Sequence, residues 1–340
     1  MRAIAHDGYG PPESLQLREV DPPKIDDASV LIRVHAASVN PLDWHLMRGE
    51  PSFMRMIGGK NPIGRIPGAD VAGVVEQVGA KITQFRPGDE VFGTCRGALA
   101  EYARSSEKNL VTKPATVTWE QAASIAVAGC TALQGLRDHG RLQPGQSVLV
   151  NGAAGGVGSF AVQLAKALGA RVTGVCSTSN LELVRSLGAD DVVDYTAEDF
   201  TQGSRRYDLI LQLAGNRTVA EMRRVLTPRG AVVVIGGGTG RVDDGKGGML
   251  ELVRLMIKGQ LLSRFARQRE LMFMAQIRKS DLTYIVTLIA GRKLTPVIER
   301  TFPLADAAEA IRHLEGGHAR GKVVITVNSQ PPTPNSQEGA

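Results

Sequence analysis

Ser147-Val148-Leu149-Val150-Asn151-Gly152-Ala153-Ala154-Gly155-Gly156-Val157-Gly158 leads, after Ser159, into Phe160-Ala161-Val162-Gln163-Leu164-Ala165-Lys166. The first five residues read as a short buried strand, the next seven as a turn of small residues, and the last run as an amphipathic helix. Small residues let the backbone approach a pyrophosphate closely, and the helix N-terminus offers it unpaired N–H groups and a partial positive charge. Ala153 stands at the first position of the Gly-x-Gly-x-x-Gly pattern, so only Gly155 and Gly158 match strictly. The alternative is a tight strand-to-helix turn that holds no ligand. Against it stands a second strand-helix unit at the spacing of a dinucleotide-binding fold.

Outward from this stretch the same alternation continues in both directions. Thr118 and Gln121 form a capping box that opens the apolar run Ala122, Ala123, Ile125, Ala126. Strands are expected at 147–151, 171–176, 209–213 and 231–235, with helices reaching Leu168, Leu187 and Leu226 between them. Strand-helix repetition with short connections predicts a parallel, doubly wound sheet. Before residue 118 the texture is different: short β-branched runs at 30–34, 71–78, 90–92 and 99–102, separated by glycine and proline, predict a β-barrel. After residue 294 come a strand at 297–302, a helix at 306–314 and the run Gly321-Lys322-Val323-Val324-Ile325-Thr326-Val327, expected to rejoin the N-terminal domain. The fold class is therefore α/β, with a barrel in 1–117, the doubly wound domain in 118–294, a return in 295–328, and a mobile Pro-, Gln-, Ser- and Gly-rich tail in 329–340.

A chain of 340 residues with 43% hydrophobic and 22% charged residues suits two globular domains. The net charge of +6 suits anionic partners, phosphorylated cofactors among them. Arg254, Lys258, Arg264, Arg267, Arg269, Arg278 and Lys279 make one basic stretch, read as a solvated helix face. With aromatics at 4% and no stacking residues interleaved there, nucleic acid is not an expected partner. The three cysteines form neither a disulfide framework nor a Cys-x-x-Cys knuckle, which fits a reducing compartment. Neither a signal peptide nor a run of about 18 apolar residues is evident, so a cytoplasmic location and no membrane partner are expected.

The cofactor preference is sought at the end of the second strand, Val175-Cys176-Ser177-Thr178-Ser179-Asn180. An NAD site places Asp or Glu there to accept from the ribose hydroxyls. This loop has hydroxyls and no carboxylate, which favours NADPH, with NADH a weaker possibility. It also has no Arg or Lys to make a charge-assisted bond with a 2′-phosphate.

Several segments together resemble a known family over nearly the whole chain: Ser38-Val39-Asn40-Pro41-Leu42-Asp43, Pro67-Gly68-Ala69-Asp70-Val71-Ala72-Gly73-Val74-Val75, Phe85-Arg86-Pro87-Gly88-Asp89-Glu90-Val91, and residues 153–158. They resemble the medium-chain dehydrogenase/reductases, which set a GroES-like catalytic domain beside a Rossmann domain, and specifically the zinc-free quinone oxidoreductase (zeta-crystallin-like) branch. Asn40 stands where zinc members have a ligand Cys, and Ala69-Asp70 where they have a His-Glu pair, so no metal is expected.

The resemblance implies that Asn40 and Thr131 lie near the nicotinamide and that Ala154, Gly155, Gly156 and Val157 meet the pyrophosphate. Ser177, Ser179, Asn180 and Tyr195 would surround the adenosine 2′-phosphate. Leu213, Ala214, Gly215, Ile235, Gly236 and Gly237 would line the rest of the cofactor cleft, with Phe265 and Lys322 contributing from later segments. It implies hydride transfer from NADPH to a quinone or an α,β-unsaturated carbonyl, and homodimerisation through an edge of the Rossmann sheet.

Asn40 is the candidate catalytic donor. His45, where the branch often has Tyr, is a candidate proton donor, since an imidazole titrates near neutrality; a structural histidine is the alternative. Trp44 is expected to wall a pocket or pack in the core. Asp43 and Asp70 are read as hydrogen-bonding groups within the domain, and Cys130 as packing. Two other functions stand beside the reductase: a non-enzymatic NADPH-binding protein, regulatory or RNA-associated, and an NAD(P)-dependent alcohol dehydrogenase.

Overall fold

The computed structural model describes residues 1–52, 54–59, 64–235, 268–317 and 319–327. The N-terminal part holds β1 (Arg2–Ala5) and β2 (Gln16–Glu19), an antiparallel ribbon, followed by β3 (Ser29–Ser38), β4 (Asp70–Val78), β5 (Glu90–Thr94), β6 (Tyr102–Ser106) and β7 (Leu110–Thr112). β3, β4, β5 and β7 pair in that order, and β6 pairs with β3. Val30, Ile32 and Val34 on β3 are fully buried, the period of two that a strand with one core face requires.

The expected strand at 99–102 is displaced. Leu99 accepts from the Ile4 N–H and the Glu101 N–H donates to Arg2. This apolar run therefore seats β1, and the strand paired with β3 begins at Tyr102.

The second part carries β8 (Ser147–Asn151), β9 (Arg171–Cys176), β10 (Asp191–Asp194), β11 (Tyr207–Gln212), β12 (Leu226–Val234) and β13 (Arg269–Met272). All pairs are parallel, in the order β10-β9-β8-β11-β12-β13. In chain order this is 3-2-1-4-5-6, the doubly wound arrangement whose ligand crevice opens where the strand order reverses, between β8 and β11. The capping box at its entrance has both bonds, Gln121 N–H to Thr118 Oγ1 at 3.2 Å and Thr118 N–H to Gln121 Oε1 at 3.1 Å. The helix Trp119–Ala123 breaks at Ser124 and resumes over Ala126–Leu133, where Cys130 is buried.

The return consists of β14 (Ile298–Pro303), the helix Ala307–Glu315 and β15 (Lys322–Thr326). β15 pairs antiparallel with β3, Val324 opposite Ser38. The chain's end thereby joins its first large sheet, as the sequence suggested.

The basic stretch is not a solvated helix face where it is described. Arg269 lies in β13 and bonds the Gly140 carbonyl at 3.3 Å, and Arg278 pairs with Asp138 at 3.2 Å. The Lys279 ammonium reaches Gln84 and sits 4.9 Å from the Phe85 ring centroid. Each of these cations lies against a carboxylate, a carbonyl, an amide or a ring rather than facing water alone. Arg254, Lys258, Arg264 and Arg267 lie outside the described residues, as does the tail 329–340. No helix among the described residues is long and apolar enough to cross a membrane.

Candidate functional site

β8 ends at Asn151, and Gly152, at φ +93°, turns the chain towards the helix Gly156–Ala167. The N–H groups of Gly152 and Ala153 both donate to the Val175 carbonyl, at 3.1 and 3.0 Å, tying the loop to β9. A Cβ on Gly158 would lie 2.0 Å from the Gly152 oxygen, so no side chain fits there. Ala153, by contrast, buries its methyl completely, which accommodates its departure from the glycine pattern. Gly155 is the N-cap and no side chain bonds the first turn, which leaves helix N-terminal N–H groups for an anion. A Cβ on Gly155 would meet nothing nearer than 3.5 Å, which shows the space in front of the loop.

Beyond β9, Ser177 Oγ lies 3.3 Å from Ser179 Oγ and accepts from Asn180 Nδ2 at 3.0 Å. Asn180 Oδ1 is buried without a donor. The Tyr195 N–H donates to the Cys176 carbonyl at 3.1 Å, which sets Tyr195 beside this loop with its side chain exposed. Burial pushes the Cys176 thiol up to about 11. One residue here escaped the sequence. Asp194, the last of β10, accepts from Thr178 Oγ1 at 2.5 Å and from Thr196 Oγ1 at 2.7 Å, and these bonds hold its carboxyl below the usual range. A loop with no carboxylate of its own thus has one supplied by the neighbouring strand.

At the switch point, Asn151 Nδ2 donates to Gln212 Oε1 at 2.5 Å and to Asn216 Oδ1 at 2.7 Å, while Asn151 Oδ1 is buried without a donor. The Leu213 N–H bonds the Asn151 carbonyl and the Ile235 N–H bonds the Gln212 carbonyl, both at 3.0 Å. A Cβ on Gly152 would lie 3.4 Å from the Ala214 methyl, and Gly215 turns the chain at φ +69°. Leu213 and Ala214 therefore stand beside the phosphate loop, with Gly215 following them and Ile235 at the end of the next strand. Gly236, Gly237 and Phe265 lie outside the described residues.

The other side of the cleft is built on Asn40, the N-cap of the helix Pro41–Arg48. Its backbone N–H donates to Asp43 Oδ2 at 2.8 Å. Asn40 Nδ2 donates to Asp70 Oδ2 at 2.9 Å, and Asn40 Oδ1 accepts from Lys322 Nζ at 2.6 Å. Asp70 also accepts from Ser38 Oγ at 2.7 Å and from the Val127 N–H at 2.9 Å. One helical turn on from Val127, Thr131 Oγ1 donates to the Val127 carbonyl at 2.6 Å.

Exposures of 0% for Asp70, 3% for Lys322 and 5% for Asn40 put this cluster in a low-dielectric setting. Burial pushes the Lys322 ammonium below the ordinary lysine range, against the pull of Asp70 and Asp43. Burial, with the Asp70 charge added, raises Asp43 to about 6, against the N–H groups of Asn40 and Gly68 and the Lys322 charge. Burial also lifts the Cys95 thiol above its usual range.

The two sides are joined by the chain itself: the Gly321 N–H donates to the Ala154 carbonyl at 2.7 Å, and Lys322 is the next residue. Asn40, Lys322, Thr131 and the phosphate loop thus form one group, and Ser177, Ser179, Asn180 and Tyr195 a second at the far end of β9. His45 lies on the helix that Asn40 caps, with Nδ1 2.8 Å from the Glu50 carbonyl and its ring 3.6 Å from that of Trp44. Asp43 and Asp70 both hydrogen-bond within the domain; what the sequence did not reveal is that Asp70 binds three different segments.

Residues 26–115 match the family described as the alcohol dehydrogenase GroES-like domain, and residues 187–325 the one described as zinc-binding dehydrogenase. The chain is 34% identical over 344 residues to the quinone-oxidoreductase QR1, chloroplastic, of Triphysaria versicolor, covering 96% of this chain and 98% of that one. It is 35% identical to the NAD(P)H oxidoreductase RTN4IP1, mitochondrial, of Mus musculus, over 88% of this chain and 81% of that one. Among solved structures it is similar to the quinone oxidoreductase from Coxiella burnetii, with a TM-score of 0.82 and 31% identity over 96% of this chain and 99% of that one. The chain belongs to the medium-chain dehydrogenase/reductase family, in its zinc-free quinone oxidoreductase branch. It is an oxidoreductase, and its two large sheets are the GroES-like and Rossmann-like parts of that family's fold.

Proposed function

We propose that the protein is a zinc-independent reductase that takes NADPH ahead of NADH and reduces quinones or α,β-unsaturated carbonyls. The observation that carries this proposal is the bond from the Gly321 N–H to the Ala154 carbonyl, 2.7 Å, which sets the phosphate loop one residue from the Lys322–Asn40–Asp70 cluster. Groups suited to anchoring a nucleotide and groups suited to polarising an acceptor then share one cleft.

The donor set fits a nicotinamide dinucleotide. The uncapped first turn of the helix Gly156–Ala167 suits the pyrophosphate, and the unpartnered Oδ1 atoms of Asn151 and Asn180 suit hydroxyl donors. The bound cofactor would supply a hydride. The hydroxyls of Ser177 and Ser179 favour a 2′-phosphate, whereas Asp194 and the Asn180 oxygen oppose it, so the preference for NADPH is modest.

Asn40 has one amide hydrogen beyond the one given to Asp70, and this neutral donor is offered to the acceptor oxygen or the ribose. A conjugated acceptor spreads developing charge onto its oxygen, so one neutral donor in a dry site suffices, where a simple ketone would call for stronger polarisation. His45 is kept as the candidate proton donor. Zinc independence is supported by Lys322: its ammonium occupies Asn40 Oδ1 and stands 3.6 Å from Asp70, and a buried ammonium repels a divalent cation from those oxygens.

The same proposal includes the division 1–117, 118–294 and 295–328, pairing of two copies through an edge of the Rossmann sheet, and a reducing, cytoplasmic setting. Gly236, Gly237 and Phe265 are assigned to the cofactor cleft by the resemblance alone.

Steady-state oxidation of NADPH and NADH against 1,4-benzoquinone, 9,10-phenanthrenequinone and an alkenal, with and without a chelator, tests this. Chelator-insensitive turnover that is faster with NADPH is expected. Tight NADPH binding with no turnover on any acceptor would overturn it in favour of a non-enzymatic binding protein.

A further inference from the structure

Lys322 has three N–H donors and no acceptor. Two hydrogen-bond inside the protein, to Asn40 Oδ1 at 2.6 Å and to the Val39 carbonyl at 3.2 Å, and the ammonium forms an ion pair with Asp70 Oδ2 at 3.6 Å. At 3% exposure and with these oxygens around it, the ammonium is turned into the protein, although the family resemblance set this lysine against the cofactor.

What the ammonium does is fix the polarity of the Asn40 amide. A side-chain amide ordinarily exchanges its oxygen and nitrogen positions with little change in shape. Here the oxygen faces a cation and the nitrogen faces the Asp70 carboxylate. The exchanged form would turn N–H towards the ammonium and C=O towards the carboxylate, repulsive on both sides in a buried setting. The second N–H of Asn40 is therefore held in place as a donor.

The position of the lysine is itself set by the phosphate loop. Gly321 is bonded to Ala154 and turns at φ +82°, where a Cβ would lie 2.5 Å from the Val297 oxygen. A Cβ on Gly156 would lie 3.1 Å from Lys322 Cδ, so the lysine stem packs against the loop's first helical residue.

We propose that Lys322 is a positioning residue that acts through Asn40, holding its amide with the N–H outward, and that it does not hold the cofactor itself. This rests on the cofactor-dependent reduction proposed above.

The test compares the full-length wild type with Lys322→Met, Lys322→Gln, Asn40→Ala and the double variant Asn40→Ala/Lys322→Met. Three quantities are read: the side-chain amide resonances of selectively 15N-asparagine-labelled protein, the NADPH dissociation constant from tryptophan quenching, and kcat and KM. The Asn40 amide pair is identified by its loss in Asn40→Ala. In Lys322→Met it is expected to shift or broaden, with NADPH affinity within about threefold of wild type. The value of kcat should fall about 10- to 100-fold, the scale of a misplaced catalytic group. The double variant should be no slower than Asn40→Ala alone, because a residue that acts through another adds nothing once that other is gone.

An unmoved Asn40 amide, or NADPH binding weakened tenfold or more with kcat intact, would overturn the proposal and place Lys322 on the nucleotide. Lys322→Gln removes the charge while keeping a polar chain, and it decides the same question if the methionine variant does not fold. If the wild type turns over no acceptor, the proposed reaction fails by itself, while the amide shift and the dissociation constant still decide the role of Lys322.

Discussion

Replacing Asp43 by asparagine should flatten the pH dependence of stability across the acid range. Asp43 is buried beside Asp70, and its carboxyl is raised from 3.8 to about 6. In the unfolded chain it titrates near its ordinary value, so between the two values the folded protein binds the extra proton. The stabilisation from this group is thus complete below about 3.8 and is lost as the pH rises through about 6. A displacement of about two units is worth about 3 kcal/mol, of which about 2 kcal/mol falls between roughly pH 4.5 and 7.5. Asparagine keeps an oxygen to accept the Asn40 N–H, which Asp43 binds at 2.8 Å, so the cap on the helix Pro41–Arg48 survives. Urea unfolding of both proteins, followed by the fluorescence of Trp44 and Trp119, gives the difference in stability at each pH. That difference should move in favour of Asp43→Asn by about 2 kcal/mol from the acid to the neutral end. A difference constant to within about 0.5 kcal/mol would show that Asp43 carries no extra proton in the folded state and would refute the reasoning.

Asp194→Asn keeps an oxygen for Thr178 and Thr196 but removes the charge beside the 177–180 loop, so the ratio of kcat/KM for NADPH to that for NADH should rise about two- to fivefold, less at high salt. An unchanged or lower ratio would remove Asp194 from the specificity site. Gly158→Ala drives a methyl to 2.0 Å from the Gly152 oxygen, and the loop must shift; cofactor affinity should fall at least about tenfold, with a stability loss of about 1–3 kcal/mol in calorimetry. Thr118→Ala deletes the acceptor of the Gln121 N–H and should cost about 1 kcal/mol in urea unfolding while leaving KM for NADPH as it is. Dialysis against a chelator followed by assay should leave activity unchanged, and activity restored only by added zinc would contradict the assignment of Lys322 to the Asn40–Asp70 site.

The phosphate loop was legible because its determinants are local: an apolar strand, small residues and an amphipathic helix follow one another within twenty residues, and the Gly158 requirement is a contact with Gly152 six residues away. The Thr118 cap was legible for the same reason. Asp194 was not, because Asp191–Asp194 is a half-buried edge strand of four residues with no apolar run to announce it, and its place beside the 177–180 loop comes from the pairing of Asp194 with Cys176. The Asn40 cluster lay still further out of reach, since its members belong to segments distant in sequence. In the structure the pairing of β15 with β3 sets Val324 opposite Ser38, and the pairing of β3 with β4 sets Ser38 opposite Asp70. Continuing the first ladder by two residues brings Lys322 opposite Asn40, just past the end of β3, and Asp70 lies opposite Ser38, two residues back along that strand, close enough for Asn40 Nδ2 to reach it at 2.9 Å. Side chains alternate faces along a strand, and a slip of one residue in β15 would turn Lys322 away from Asn40. Val323 and Ile325, buried to 1% and 0%, resist that slip because it would turn them away from their core as well. The geometry of the Asn40 amide is thus secured by apolar residues that touch neither the amide nor a ligand.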